Sequence, residues 1–175
     1  MEIIMPLYDS ISMVGGPFDS TYVVETVQGF PRGNRAVDAA FLASMISCFI
    51  TDGVLNTGSG DLAVSVESDL SVSVAAGCAW ARGYMARLDT PAVFELTPGN
   101  TFTVCVRFNI TGGEANVAVF KNDSGTLPVR SSGTFDLLLA RVTVPTGATA
   151  ITSDMIADLR SSTSCGYVAS RLTGA

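Results

Sequence analysis

Between Leu62 and Tyr84 the chain reads LAVSVESDLSVSVAAGCAWARGY. Leu62, Val64 and Val66 alternate with Ala63, Ser65 and Glu67, and Leu70, Val72 and Val74 alternate with Ser71 and Ser73. A period of two sends one row of side chains into a core and the other into water, which a helix cannot do. Glu67-Ser68-Asp69 interrupts the alternation and Ala76-Gly77 ends it. The pattern predicts two short antiparallel strands, a turn, and a third strand. That third strand holds the sole tryptophan, Trp80, and runs through Arg82 to Tyr84 with the aromatics on one face.

The rest of the chain extends the same theme. Phe102, Val104, Val106, Phe108 and Ile110 alternate with Thr103, Cys105, Arg107 and Asn109, and Thr111-Gly112-Gly113 turns this strand into a hairpin with 115–121. Ala92 to Leu96 is a further strand, stopped by Pro98-Gly99-Asn100. Phe135 to Val144 is nearly continuous apolar sequence, as in a strand buried on both faces. One long helix is expected over residues 34–50, where Val37, Phe41, Leu42, Met45, Ile46, Phe49 and Ile50 recur at spacings of three and four. Asn34 would cap it, and Gly53 would end it in the left-handed conformation. Ser153-Asp154 would cap a short C-terminal helix over Met155 to Leu159. Tyr22 to Val27 reads as a short strand and Gly29 to Gly33 as a loop.

The expected fold is therefore mainly β: an antiparallel β-sandwich with one N-terminal helix packed on it and a short C-terminal helix. It divides into an N-terminal docking arm (1–33), the helix and sandwich (34–160) and a C-terminal tail (161–175). Ile3, Ile4, Met5, Leu7, Ile11 and Met13 of the arm are apolar without a helical stripe, which suits packing on a neighbouring subunit or back on the chain's own domain.

Composition narrows the function. Of the 175 residues only 15% are charged and 47% are hydrophobic, with a mean hydropathy of +0.40. That balance favours apolar surface covered by other subunits over an isolated monomer. The net charge is −6, with one lysine (Lys121) and nine scattered arginines, so no basic stripe exists to grip nucleic acid or an anionic membrane. No apolar run reaches the length of a membrane span, and the first ten residues do not read as a signal peptide. Cys48, Cys78, Cys105 and Cys165 sit among apolar neighbours at no metal-binding spacing and read as small buried residues of a protein kept in a reducing cytoplasm.

Catalytic chemistry is hard to find. The chain has no histidine, which removes Ser-His and Cys-His arrangements, and no phosphate-binding glycine loop occurs. The carboxylate pairs Glu67/Asp69 and Asp154/Asp158 fall at turns and helix ends, where caps and solvated turn residues are the usual reading. Asn122-Asp123-Ser124-Gly125 lacks a calcium-loop ladder and reads as a plain turn. Asp158 and Arg160 suit a structural clamp, one of them pairing with Arg141 or Asp136. Trp80, Arg82 and Tyr84 suit either a sugar-stacking face or a core or subunit contact; their apolar strand favours the latter. No enzyme activity, cofactor or metal is expected.

The order of segments carries a resemblance. DGVL (Asp52–Leu55) is followed by LAVSVESDLSVSVAAGCAWARGY, then TVCVRFNI (Thr103–Ile110), then FDLLLARVTVPTGATAITSDMIADLR (Phe135–Arg160). Over roughly Asn34 to Gly166 this resembles the N-terminal module of tail-associated structural proteins from phages and prophages of Gram-positive hosts, of baseplate, tail-fibre or receptor-binding type. The resemblance implies a non-enzymatic component of a virion, made in the bacterial cytoplasm. It implies a homo-oligomer, usually a trimer, acting as an adaptor between the particle and a fibre, baseplate or other appendage, its partners being itself and other virion proteins. The alternative it leaves open is a module that binds host-surface glycan. Relatives of that type commonly continue into a helical stem and a host-binding head, whereas this sequence stops at Ala175.

Overall fold

The computed structural model describes residues 25–27, 30–32, 45–58, 60–111, 114–121 and 127–172, and the chain falls into two compact units, 1–48 and 49–175. In the first, β1 (Glu25–Val27) pairs antiparallel with β2 (Phe30–Arg32), placing Thr26 opposite Pro31. The loop expected at Gly29–Gly33 thus holds a strand; proline is tolerated there because a strand with one partner can spare a ladder donor. Residues 45–49 are helical and form the described end of the predicted helix. The rest of that helix, and the arm residues Ile3, Ile4, Met5, Leu7, Ile11 and Met13, lie outside the described residues.

The second unit is mainly β. Its strands are β3 (Gly53–Val54), β4 (Val64–Ser68), β5 (Ser71–Val74), β6 (Gly77–Ala81), β7 (Tyr84–Leu88), β8 (Ala92–Glu95), β9 (Asn100–Asn109), β10 (Glu114–Lys121), β11 (Thr134–Val144) and β12 (Ile156–Asp158). They form three antiparallel sheets, in the orders β3-β6-β7, β4-β5-β8 and β10-β9-β11-β12.

All three sheets contribute to one apolar cluster. Val54, Val72, Val74, Ala79 and Ala81 meet Val104, Val106 and Phe108 of β9 and Leu137, Leu139, Val142 and Val144 of β11. Each buried aliphatic side chain of this kind contributes roughly 1.5–3 kcal/mol. The alternation of β9 reaches further than expected, since Thr103 and Cys105, on its other face, are also fully buried. The first half of β11 is buried on both faces, Asp136 and Leu138 included, as the continuous apolar run predicts. After a bulge between Leu138 and Ala140, burial alternates. β5, the central strand between β4 and β8, is likewise buried on both faces; Ser71 and Ser73, expected in water, are not there.

Three local expectations are corrected. The segment Trp80–Tyr84 is no single strand: Arg82 and Gly83 take φ of 54° and 89° and fold it into a tight hairpin between β6 and β7. Two successive left-handed residues are what a twisted two-residue hairpin requires. Met155–Leu159 is no helix: one 3-10 turn at Ser153–Met155 leads into β12, which pairs with β11 through Ala157 opposite Arg141. A free ladder on β11 outcompetes a five-residue helix too short to stand alone. Gly53 is a strand residue rather than a left-handed helix cap.

Candidate functional site

Trp80 and Tyr84 come from neighbouring strands and opposite faces. Trp80 stands opposite Met85, and Tyr84 opposite Ala81, so the two rings leave the sheet in different directions. Trp80 is 9% exposed and its Nε1–H has no hydrogen-bond partner among the described residues, whereas Tyr84 is 39% exposed. Arg82 sends its guanidinium over Phe135, 5.2 Å from the ring centre, and Arg130 lies 5.0 Å from the same ring. Trp80, Arg82 and Tyr84 are near in sequence yet form no common platform on which a sugar could stack.

The residues that carry the sequence pattern instead bind backbone. The Asp52 carboxylate accepts from the Arg82 backbone N–H at 2.8 Å and so holds the β6–β7 turn. Gly53, beside it, admits the C-terminal tail: a Cβ there would stand 2.7 Å from the Gly166 carbonyl oxygen and 2.8 Å from the Tyr167 carbonyl carbon. Val54 then exchanges hydrogen bonds with the tail, donating to Gly166 and accepting from Val168.

A second cluster surrounds Asp61. Its carboxylate accepts from the Thr57 N–H, the Thr57 hydroxyl and the Gly58 N–H, while Asp61 and Leu62 both take positive φ, 47° and 58°. Arg160 reaches this loop across the fold. Its guanidinium donates to the carbonyls of Gly60 (3.2 Å) and Asp61 (2.9 Å) and is itself held by the Asp158 carboxylate at 2.6 Å. That ion pair keeps the Asp158 carboxyl below its ordinary range and lifts Arg160 above its own. Asp158 and Arg160 therefore clamp each other and the loop; neither pairs with Asp136.

Asp136 has a different partner. It is fully buried on β11 and accepts both the Nε and the Nη2 of Arg107 on β9, with the Val129 N–H as a third donor at 2.9 Å. Arg107 in turn lies over the Phe120 ring of β10 at 4.2 Å. Donating to the Asp136 carboxylate raises the Arg107 pKa, and burial with the nearby carboxylate pushes the Cys105 thiol up to about 12.

The other candidates are apart. Glu67 and Asp69 are exposed at the β4–β5 turn and Asp154 is exposed on the 3-10 turn, where a hydrogen bond from Thr152 lowers its pKa. Among the described residues no group of three acidic, cysteine or histidine side chains could hold a metal ion. The loop 122–125 lies outside them. Of the cysteines, Cys105 and Cys165 are buried as expected, while Cys78 is half-buried and Cys48 exposed. A cleft of about 220 Å³ is lined by Thr57, Gly77, Cys78, Arg87 and Asp89, and Arg87 and Asp89 pair with each other at 2.6 Å.

No family model, curated protein or solved structure matches this chain. The clamp role of Asp158 and Arg160 is legible in the sequence but its partners in the Gly60–Asp61 loop are not, and the Arg107–Asp136 pair shows only as two anomalies. Asp136 is the one acidic residue of an apolar strand, and Arg107 sits on a strand otherwise built for a core. The partner of each is fixed by the register of β9 against β11, which places Asp136 opposite Arg107.

Proposed function

We propose that this chain is a non-enzymatic structural protein of a phage virion or phage-like tail, acting as a homo-oligomeric adaptor that attaches a fibre, baseplate or other appendage to the particle. The observation that supports this most is the use to which its polar motif residues are put. Asp52, Asp136, Asp158, Arg107 and Arg160 hold turns, strands and loops to one another, in the segments DGVL, VRFN, FDLLL and IADLR that carry the resemblance. Such a module resists load and presents surfaces; these five charged groups are engaged in the scaffold. We read the three sheets as the layers of a β-sandwich, since each gives its apolar face to the common cluster.

Mass spectrometry of purified particles from the producing bacterium, followed by localisation of this chain in a cryo-EM map, tests the proposal. The chain is expected at a fixed copy number in a symmetric ring or collar. Its absence from particles that contain the other structural proteins would overturn the reading.

A further inference from the structure

Among the described residues β10 has β9 on one side and no strand on the other. Free edges invite pairing, and proteins ordinarily guard them with short strands, bulges, prolines or charges. The other described edges of the second unit are guarded. β3 spans two residues and β12 three; β4 has a bulge and Glu67; β8 follows Pro91 and ends at Glu95; β7 is five residues long with Arg87 on it. β10 is eight residues, EANVAVFK, paired with β9 without a register shift, free of proline, and charged only at its two ends.

The direction of its free groups follows from the neighbouring ladder. Ile110 donates to Gly133, the residue opposite it beyond the end of β11, so the even-numbered residues of β9 bond towards β11. The N–H groups of Asp136 and Leu138 accordingly point away from β9, to Val129 and Ser164. Odd-numbered residues of β9 then bond towards β10, where their partners are Asn116, Ala118 and Phe120. The backbone groups of Ala115, Val117, Val119 and Lys121 face outwards.

We propose that β10 is a self-association edge, at which two copies of this chain pair β10 to β10, antiparallel, across a two-fold axis through Ala118. This register sets Val117 opposite Val119 of the second copy and Ala115 opposite Lys121, twice each, and engages every outward group in about eight backbone hydrogen bonds. A two-fold axis one residue away leaves the Lys121 ends unpaired if it passes through Val117 and the Ala115 ends unpaired if it passes through Val119. The strand begins at an acidic residue, Glu114, and ends at the chain's sole lysine, so antiparallel pairing sets the acidic end of one copy beside the basic end of the other, where in-register parallel pairing would set like charge directly opposite like. The two four-stranded sheets become one sheet of eight. This inference does not depend on the virion role, and it requires an even-numbered assembly in place of a simple trimer.

Sedimentation equilibrium of the full chain, with circular dichroism and thermal unfolding as fold controls, is the test. The chain is expected as a dimer or an even multiple of it. Val117→Pro removes an outward N–H without touching the β9 ladder and is expected to weaken self-association at least tenfold while the strand signal persists. Ala118→Cys places two thiols across the axis at a non-hydrogen-bonded pair, about 4.5 Å between Cα atoms, and is expected to oxidise to a covalent dimer of unchanged fold. A monomer, a three-copy mass, or a dimer indifferent to Val117→Pro and unlinked by Ala118→Cys overturns the proposal.

Discussion

Asp136 and Arg107, directly opposite each other on β11 and β9, join through two parallel hydrogen bonds of 2.8 and 2.9 Å. The aspartate is wholly buried and the arginine side chain 28% exposed, so the pair is linked to the strand ladder on one side and to the Phe120 ring on the other. Breaking such a pair on one side strands a charge in the interior. Asp136→Leu is expected to cost about 3 kcal/mol or more, measured by urea unfolding. The double change Arg107→Met with Asp136→Leu is expected to recover a large part of that loss, because neither charge then remains. A double variant no more stable than Asp136→Leu alone would show that the two residues are not one coupled unit.

Arg160 holds Asp158 and the carbonyls of Gly60 and Asp61 together. The Asp158 carboxyl is depressed, so the folded chain releases its proton more readily than the unfolded chain does. The resulting stabilisation is fully present above the ordinary carboxylate pKa of about 3.9 and is lost as pH falls through the lower folded value. Thermal melts of the native chain and Asp158→Asn are expected to differ at neutral pH and to converge on acidification below pH 4. Arg160→Lys is expected to behave like Arg160→Ala, since an ammonium cannot reach a carboxylate and two carbonyls with fixed fork geometry. Recovery of native stability by lysine would rule out that role for the fork.

Strand content is legible in the sequence because alternation is a direct imprint of the pleat: β4, β5, β9 and β10 all fall where Val, Phe and Ile alternate with small or polar residues. The β6–β7 hairpin is not, because its turn is Arg82-Gly83 and arginine gives no hint of a left-handed conformation. With the turn hidden, Trp80 and Tyr84 read as partners on one face, when the hairpin sends them to opposite ones. The same limit applies to β12. Ile156-Ala157-Asp158 suits a helix locally, and only the free edge of β11, some fifteen residues earlier in sequence, makes it a strand. Gly53 shows the converse: the glycine is conspicuous, and its reason, close approach of the tail, lies over a hundred residues away.

That close approach is itself testable. A methyl group at residue 53 would meet backbone on the tail, the Gly166 oxygen at 2.7 Å and the Val168 nitrogen at 2.9 Å, and backbone cannot step aside as a side-chain tip can. Gly53→Ala is expected to destabilise by about 1–3 kcal/mol and to release the tail first. Limited proteolysis should then cut between Gly166 and Leu172 in the variant at protease levels that spare the native chain. Equal resistance of both proteins would mean that the tail is not held at Gly53.

The thiols divide by environment. Cys105 lies fully buried on β9 beside Asp136, and Cys165 is buried in the tail; burial, aided by nearby carboxylates, pushes each up to about 12. At pH 8 such a thiol is thiolate in roughly one molecule in ten thousand, and the thiolate is the form that reacts. Cys48 is exposed and Cys78 half-buried. Titration of the native chain with a disulfide reagent at pH 8 is expected to modify Cys48 rapidly and Cys78 more slowly. Cys105 and Cys165 are expected to react only when the chain unfolds, so denaturant should release both together. Rapid native modification of Cys105 would mean that the β9 face it shares with Thr103 opens to solvent on the timescale of the assay.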